Sequence, residues 1–100
     1  MPNFQILSEE EISTAISSLP DWSVVDNQLT ADFKFSDFKT AFSFITRIAI
    51  ESEVMNHHPE WSNTYNKVSF AFCTHDAGNV ITDLDTKMAE IISRTAQEYS

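Results

Sequence analysis

Residues 22–35 read WSVVDNQLTADFKF, and the fold turns on how they alternate. Leu29, Ala31, Phe33 and Phe35 fall on one side of an extended chain; Thr30, Asp32 and Lys34 fall on the other. That period of two describes a strand with one buried and one wet face. Asp26-Asn27 separates this strand from the shorter run before it. Both residue types tolerate the left-handed backbone that a two-residue hairpin turn demands. The stretch therefore predicts a hairpin and an antiparallel sheet.

The same alternation returns downstream. Trp61, Asn63 and Tyr65 share one face, Asn66-Lys67 can turn, and Val68, Phe70 and Phe72 alternate against Ser69, Ala71 and Cys73. Around these two hairpins the period becomes helical. Ser8 and Glu11 form a capping box ahead of Ile12, Ala15, Ile16 and Leu19, and Pro20 ends that segment. Ser36 is the expected cap of a long helix reaching about Met55. Its expected inward stripe is Phe38, Ala41, Phe42, Ile45 and Ala49, leaving Phe44, Ile48 and Met55 on a second stripe suited to a subunit contact. A last helix follows Thr82, with Asp85 three residues on and Leu84, Met88, Ile91, Ile92, Thr95 and Ala96 as its buried side. The order α-β-β-α-β-β-α, joined by hairpins, predicts a two-layer α+β fold. Its four-stranded antiparallel sheet carries three helices on one face, and residues 1–100 are expected to form one domain.

Charge narrows the function. Fifteen acidic against six basic residues give a net charge of −9, which argues against nucleic acid and anionic membranes as direct partners. A single cysteine, Cys73, excludes an intramolecular disulfide and suits a reducing compartment. The opening MPNFQILSEEE lacks the basic and apolar regions of an export signal, and no run nears the roughly 18 apolar residues of a membrane span. A cytoplasmic location is expected.

The chemistry concentrates in NHHPEW, residues 56–61. His57 and His58 connect the long helix to the third strand, and Pro59 biases His58 away from helical backbone. His75 lies beyond the fourth strand, where the hairpin returns beside the start of the third. Three imidazoles can thus approach one end of the sheet, and imidazole both gives and takes protons near neutral pH. The plainer readings are surface histidines, strand packing for Trp61 and Tyr65, a helix cap for Thr82 with Asp85, and a solvated Glu53. A zinc site is the third possibility. Adjacent ligands on extended backbone point apart, which weakens it.

The stretch ESEVMNHHPEWSNTYNKVSFAFCTHDAGNVITDLD resembles the pterin-4a-carbinolamine dehydratase family. That family's pattern is an acid, three residues and His-His-Pro, an aromatic six residues later, a His ten further and a later Asp. Glu53, His57, His58, Pro59, Tyr65, His75 and Asp85 meet each term, and with DWSVV and FKFSDFKTAFSFITRIA the similarity spans about residues 22–92. Two details depart: Asn56 stands where an Asp often precedes the histidines, and GNVIT is one residue longer.

The resemblance implies dehydration of 4a-hydroxytetrahydropterin to quinonoid dihydropterin in tetrahydropterin recycling. His57, His58 and His75 would be catalytic, with no metal or other cofactor. It further implies pterin contacts from Glu53, Asn56, Pro59 and Trp22, and from Trp61, Thr74, Asp76 and Asp85. A homodimer or homotetramer is implied as well. The alternative is a non-catalytic partner of another protein, since animal members of the family also stabilise the dimer of a homeodomain transcription factor.

Overall fold

The computed structural model describes residues 3–100; Met1 and Pro2, which the expected span of 1–100 includes, lie outside that description. Strands β1 (Ser23–Val25) and β2 (Gln28–Lys34) form the first hairpin, and β3 (Glu60–Thr64) and β4 (Lys67–Phe72) the second. Between and around them run helices α1 (Glu9–Ser17), α2 (Phe38–Met55) and α3 (Asp83–Glu98). The strand order is β1-β2-β4-β3, and every pairing is antiparallel. Val25 pairs with Gln28 across Asp26 and Asn27, whose φ values of 52° and 62° supply the predicted turn.

One face of the sheet is the core. Leu29, Ala31 and Phe35 meet Val68, Phe70 and Phe72, all buried, as the alternation requires. Trp22 stacks edge-on against Phe33 and Phe72, and Phe44 lies 4.8 Å from Phe35 between ring centroids. Such aromatic contacts contribute about 0.5–1.5 kcal/mol each beyond area burial. Met88 and Ile92 of α3 complete the layer. The capping boxes at Ser8/Glu11 and Thr82/Asp85 are both formed.

Three local expectations are corrected. Asp37, not Ser36, caps α2: its Oδ1 accepts from Thr40 N–H at 2.8 Å, whereas Ser36 reaches only the Thr40 hydroxyl. The second turn is Tyr65-Asn66, because Thr64 already pairs with Lys67; Tyr65 takes a φ of 52°. The third correction rotates the buried face of α2: Ala41 and Ile45 are buried as expected, but Phe44 and Ile48 join them in place of Phe38 and Phe42. Ala41, Phe44, Ile45, Ile48 and Ser52 are its buried residues, while Phe38 and Phe42 are about half exposed, with Ile50 and Val54 exposed too. Both stripes are apolar, and Ser52 makes the true core stripe look the poorer one. Its hydroxyl donates to Ile48 O at 2.8 Å, so it enters the core with its proton satisfied. The stripe left outside is Phe38 and Phe42, whose rings are 5.6 Å apart.

Candidate active site

Each histidine is aimed by the end of a secondary-structure element. At the C-terminus of α2, Asn56 adopts a left-handed φ of 52°, and His57 N–H closes the helix on Ser52 O at 3.1 Å. Asparagine is among the few non-glycine residues that adopt this conformation readily. The chain is thereby turned so that His57 faces inward and His58 outward. His57 Nε2 lies 2.6 Å from Asp85 Oδ1, while His58 Nε2 bonds to Glu53 Oε2 one turn back on α2. The two neighbours do point apart, each to its own carboxylate.

Asp85 is fully buried, yet its carboxylate is saturated. Oδ2 accepts from the Thr74 hydroxyl at 2.8 Å and from Thr82 N–H at 2.9 Å. A carboxylate with those partners can only accept, so His57 donates its Nε2–H and keeps Nδ1 free. Thr74 has spent its proton on Asp85, which makes Thr82 the donor in the 2.7 Å bond between their hydroxyls. The helix-cap reading of Thr82 and Asp85 is therefore correct, and the same cap anchors a histidine.

His75 opens a single 3-10 turn, His75–Ala77, after β4. Gly78 follows with a φ of 93°, a value glycine adopts freely, and Asn79 with 62°. This tight return brings Asn79 Oδ1 to 2.6 Å from His75 Nδ1, so Nδ1–H donates and Nε2 stays free.

All three imidazoles line one open cleft of about 420 Å³. Of the residues expected to contact the pterin, Asn56, Thr74 and Asp76 also line it. Glu53 and Asp85 act from behind, through His58 and His57, and Pro59 is buried beside them. Two expected contacts are elsewhere. Trp22 is a core residue whose indole N–H donates to Ser93 Oγ at 2.7 Å, and Trp61 packs on Phe70; neither lines the cleft.

The cleft wall also holds residues the sequence reading missed: Asn3 and Phe4, with Met55, Cys73 and Leu84. Burial, reinforced by the charge of Asp85, pushes the Cys73 thiol above its ordinary pKa, so it stands there as a neutral group. Asn79 could have been suspected from its place after the only glycine. Phe4 lies outside every periodic segment. Among the described residues, no cluster of three or more His, Cys, Asp or Glu side chains is arranged to hold a metal.

The chain is thus a two-layer α+β domain in which three oriented imidazoles line one cleft. The family model of pterin 4 alpha carbinolamine dehydratase matches residues 5–95. The chain belongs to that family. It is 46% identical over 88 residues to a Prochlorococcus marinus (strain MIT 9515) protein named as a candidate pterin-4-alpha-carbinolamine dehydratase, covering 88% of this chain and 91% of that one. A relative from Rhizorhabdus wittichii with the same description is 43% identical over 93 residues, covering 91% and 95%. Among solved structures, a transcriptional coactivator/pterin dehydratase from Brucella melitensis superposes with a TM-score of 0.87 at 41% identity, covering 92% and 99%.

Proposed function

We propose that this protein dehydrates a 4a-hydroxytetrahydropterin to quinonoid dihydropterin, as a hydro-lyase in tetrahydropterin recycling. The observation that carries the reading is the cleft itself, where each imidazole has one nitrogen tied to its own oxygen acceptor and the other, among the described residues, left open. In the reaction the C4a–O bond breaks and the hydroxyl leaves as water after receiving a proton. The N5 proton is removed, and its bonding pair becomes the new N5=C4a double bond. No electrons enter or leave, so the step needs only a proton donor and a proton acceptor on a flat ring. Histidines at different points around one cleft suit both tasks. His57, buried against Asp85, is the most firmly oriented; His58 and His75 are exposed and can exchange protons with water.

The test is the decay of freshly generated 4a-hydroxytetrahydropterin with the protein, with and without chelator. Acceleration above the spontaneous rate that survives chelation is expected. No acceleration would refute the function, and loss on metal removal would refute the purely side-chain chemistry.

We also propose self-association, as a homodimer or homotetramer, in the cytoplasm. No helix of the described residues is long and apolar enough to cross a membrane, and the exposed Phe38, Phe42, Ile50 and Val54 give α2 an apolar outer surface suited to a second copy. A second reading, a protein-binding role, draws on the same surface and on the coactivator in the Brucella protein's name. Light scattering separates them: a strictly monomeric mass near 11.4 kDa would leave that surface to a different partner.

A further inference from the structure

The segment before α1 is pinned across the start of α3. Ile6 pairs with Thr82, Leu7 N–H donates to Ile81 O at 3.2 Å, and Asp83 N–H donates to Gln5 O at 3.1 Å. Gln5 N–H in turn donates to Asp83 Oδ1 at 2.7 Å. These bonds involve backbone and Asp83 only, and they set Phe4 at the wall of the histidine cleft.

Phe4 is half-buried, yet among the described residues it belongs neither to the core cluster nor to any aromatic pair. Apart from the histidines, it is the only aromatic side chain among the described residues of the lining. A flat heterocycle held for proton transfer needs a surface on its ring face as well as polar groups at its edge. The two tryptophans that the resemblance implied as pterin contacts lie elsewhere in the fold.

We propose that Phe4 is a substrate-contacting residue that packs its ring on one face of the pterin. This rests on the dehydratase reading and adds a binding element to it, placed by the clamp of residues 5–7 on 81–83. The contact is made equally to substrate and transition state, because Phe4 has no group to follow the moving protons. Its loss should therefore raise KM and spare kcat.

The experiment compares wild type with Phe4→Ala, Phe4→Leu and Phe4→Trp in steady-state dehydration, with binding of a non-reacting dihydropterin followed by titration. For Phe4→Ala, KM and the dihydropterin Kd should each rise roughly 2- to 10-fold, the range for one aromatic contact. Its kcat and melting temperature should stay at wild-type values. Phe4→Trp should restore tight binding, with Phe4→Leu between the two. Wild-type KM and Kd in Phe4→Ala would overturn the proposal, as would a KM rise that Phe4→Trp shares. A wild-type protein that neither binds dihydropterin nor accelerates dehydration would instead remove the dehydratase reading, and this contact with it.

Discussion

Replacing Asp85 by Asn tests the site at its most constrained atom. The change keeps size and shape but exchanges one acceptor oxygen for an NH2. Oδ2 faces two donors, the Thr74 hydroxyl and Thr82 N–H, so the amide oxygen must settle there. The NH2 is then left against His57 Nε2, at a separation that is 2.6 Å in the native protein. Two N–H groups cannot meet at that distance, so His57 must move its proton to Nδ1. The free nitrogen changes from proton acceptor to proton donor while the fold stays in place.

The helix cap survives in Asp85→Asn, but all three bonds that the carboxylate accepts lose their charge assistance, partly offset because a neutral amide costs less to bury. That difference costs about 1–2 kcal/mol. At roughly 4–8 °C per kcal/mol for a domain of this size, the melting temperature should fall by about 5–15 °C. Turnover should fall much further, on the order of 10²–10⁴-fold for one misdirected acid–base group. Stopped-flow decay of the carbinolamine, corrected for its spontaneous loss, measures the rate, and nitrogen-15 spectra of the imidazole report the tautomer. A folded Asp85→Asn protein with His57 still protonated at Nε2 and near-native turnover would refute the argument.

Four further outcomes are expected. His58→Ala or His75→Ala should lower the catalysed rate by about 10²–10⁴-fold, and a double mutant turning over like wild type in the same assay would remove both from the mechanism. Phe44→Ala should cost about 3–5 kcal/mol in urea unfolding, since its ring is fully buried; Phe42→Glu should leave stability nearly unchanged while shifting any oligomer to smaller mass by light scattering. Hydrogen bonds from the Thr40 side chain and N–H hold the Asp37 carboxyl below its ordinary value of 3.8. The folded state therefore binds fewer protons there, so this contribution is full above that range and is lost as pH falls through the lowered value. The melting-temperature gap between wild type and Asp37→Ala should close in strong acid, and a gap unaffected by pH would contradict the assignment.

The strands were legible because one covered face enforces a period of two, and Leu29, Ala31, Phe70 and Phe72 could not be read otherwise. The helix termini were legible for a similar reason: orphan N–H groups need an oxygen acceptor at a fixed spacing, which Ser8/Glu11 and Thr82/Asp85 provide. The orientation of α2 was not. Counting apolar residues ranks Phe38 and Phe42 above a stripe containing Ser52, but a serine hydroxyl that bonds its own helix backbone carries little burial cost. The choice between Ser36 and Asp37 as cap, and the placing of the second turn, depended on one residue of register that pattern alone does not fix.

The site divides along the same line. Histidine spacing brought three imidazoles to one end of the sheet because strand pairing is local and predictable: Glu60 opposes Ala71, which brings the chain around His57 and His75 together. What aims each ring lies in irregular backbone, at the left-handed Asn56, at the Gly78-Asn79 return and at the buried Thr74–Thr82 pair. Trp22 and Trp61 show the converse, since a large aromatic near a motif in sequence is claimed by the core when its strand or turn faces that way. Phe4 belongs to neither pattern, and only the pairing of residues 5–7 with 81–83 brings it to the cleft. The start of α3 therefore has three tasks at once. It caps a helix, it holds His57 through Asp85, and it fixes the segment that carries Phe4. A change in the Thr82 side chain should consequently disturb helix stability and proton transfer together but leave the backbone clamp on residues 5–7 in place, whereas changes at Phe4 or His75 should each disturb only one.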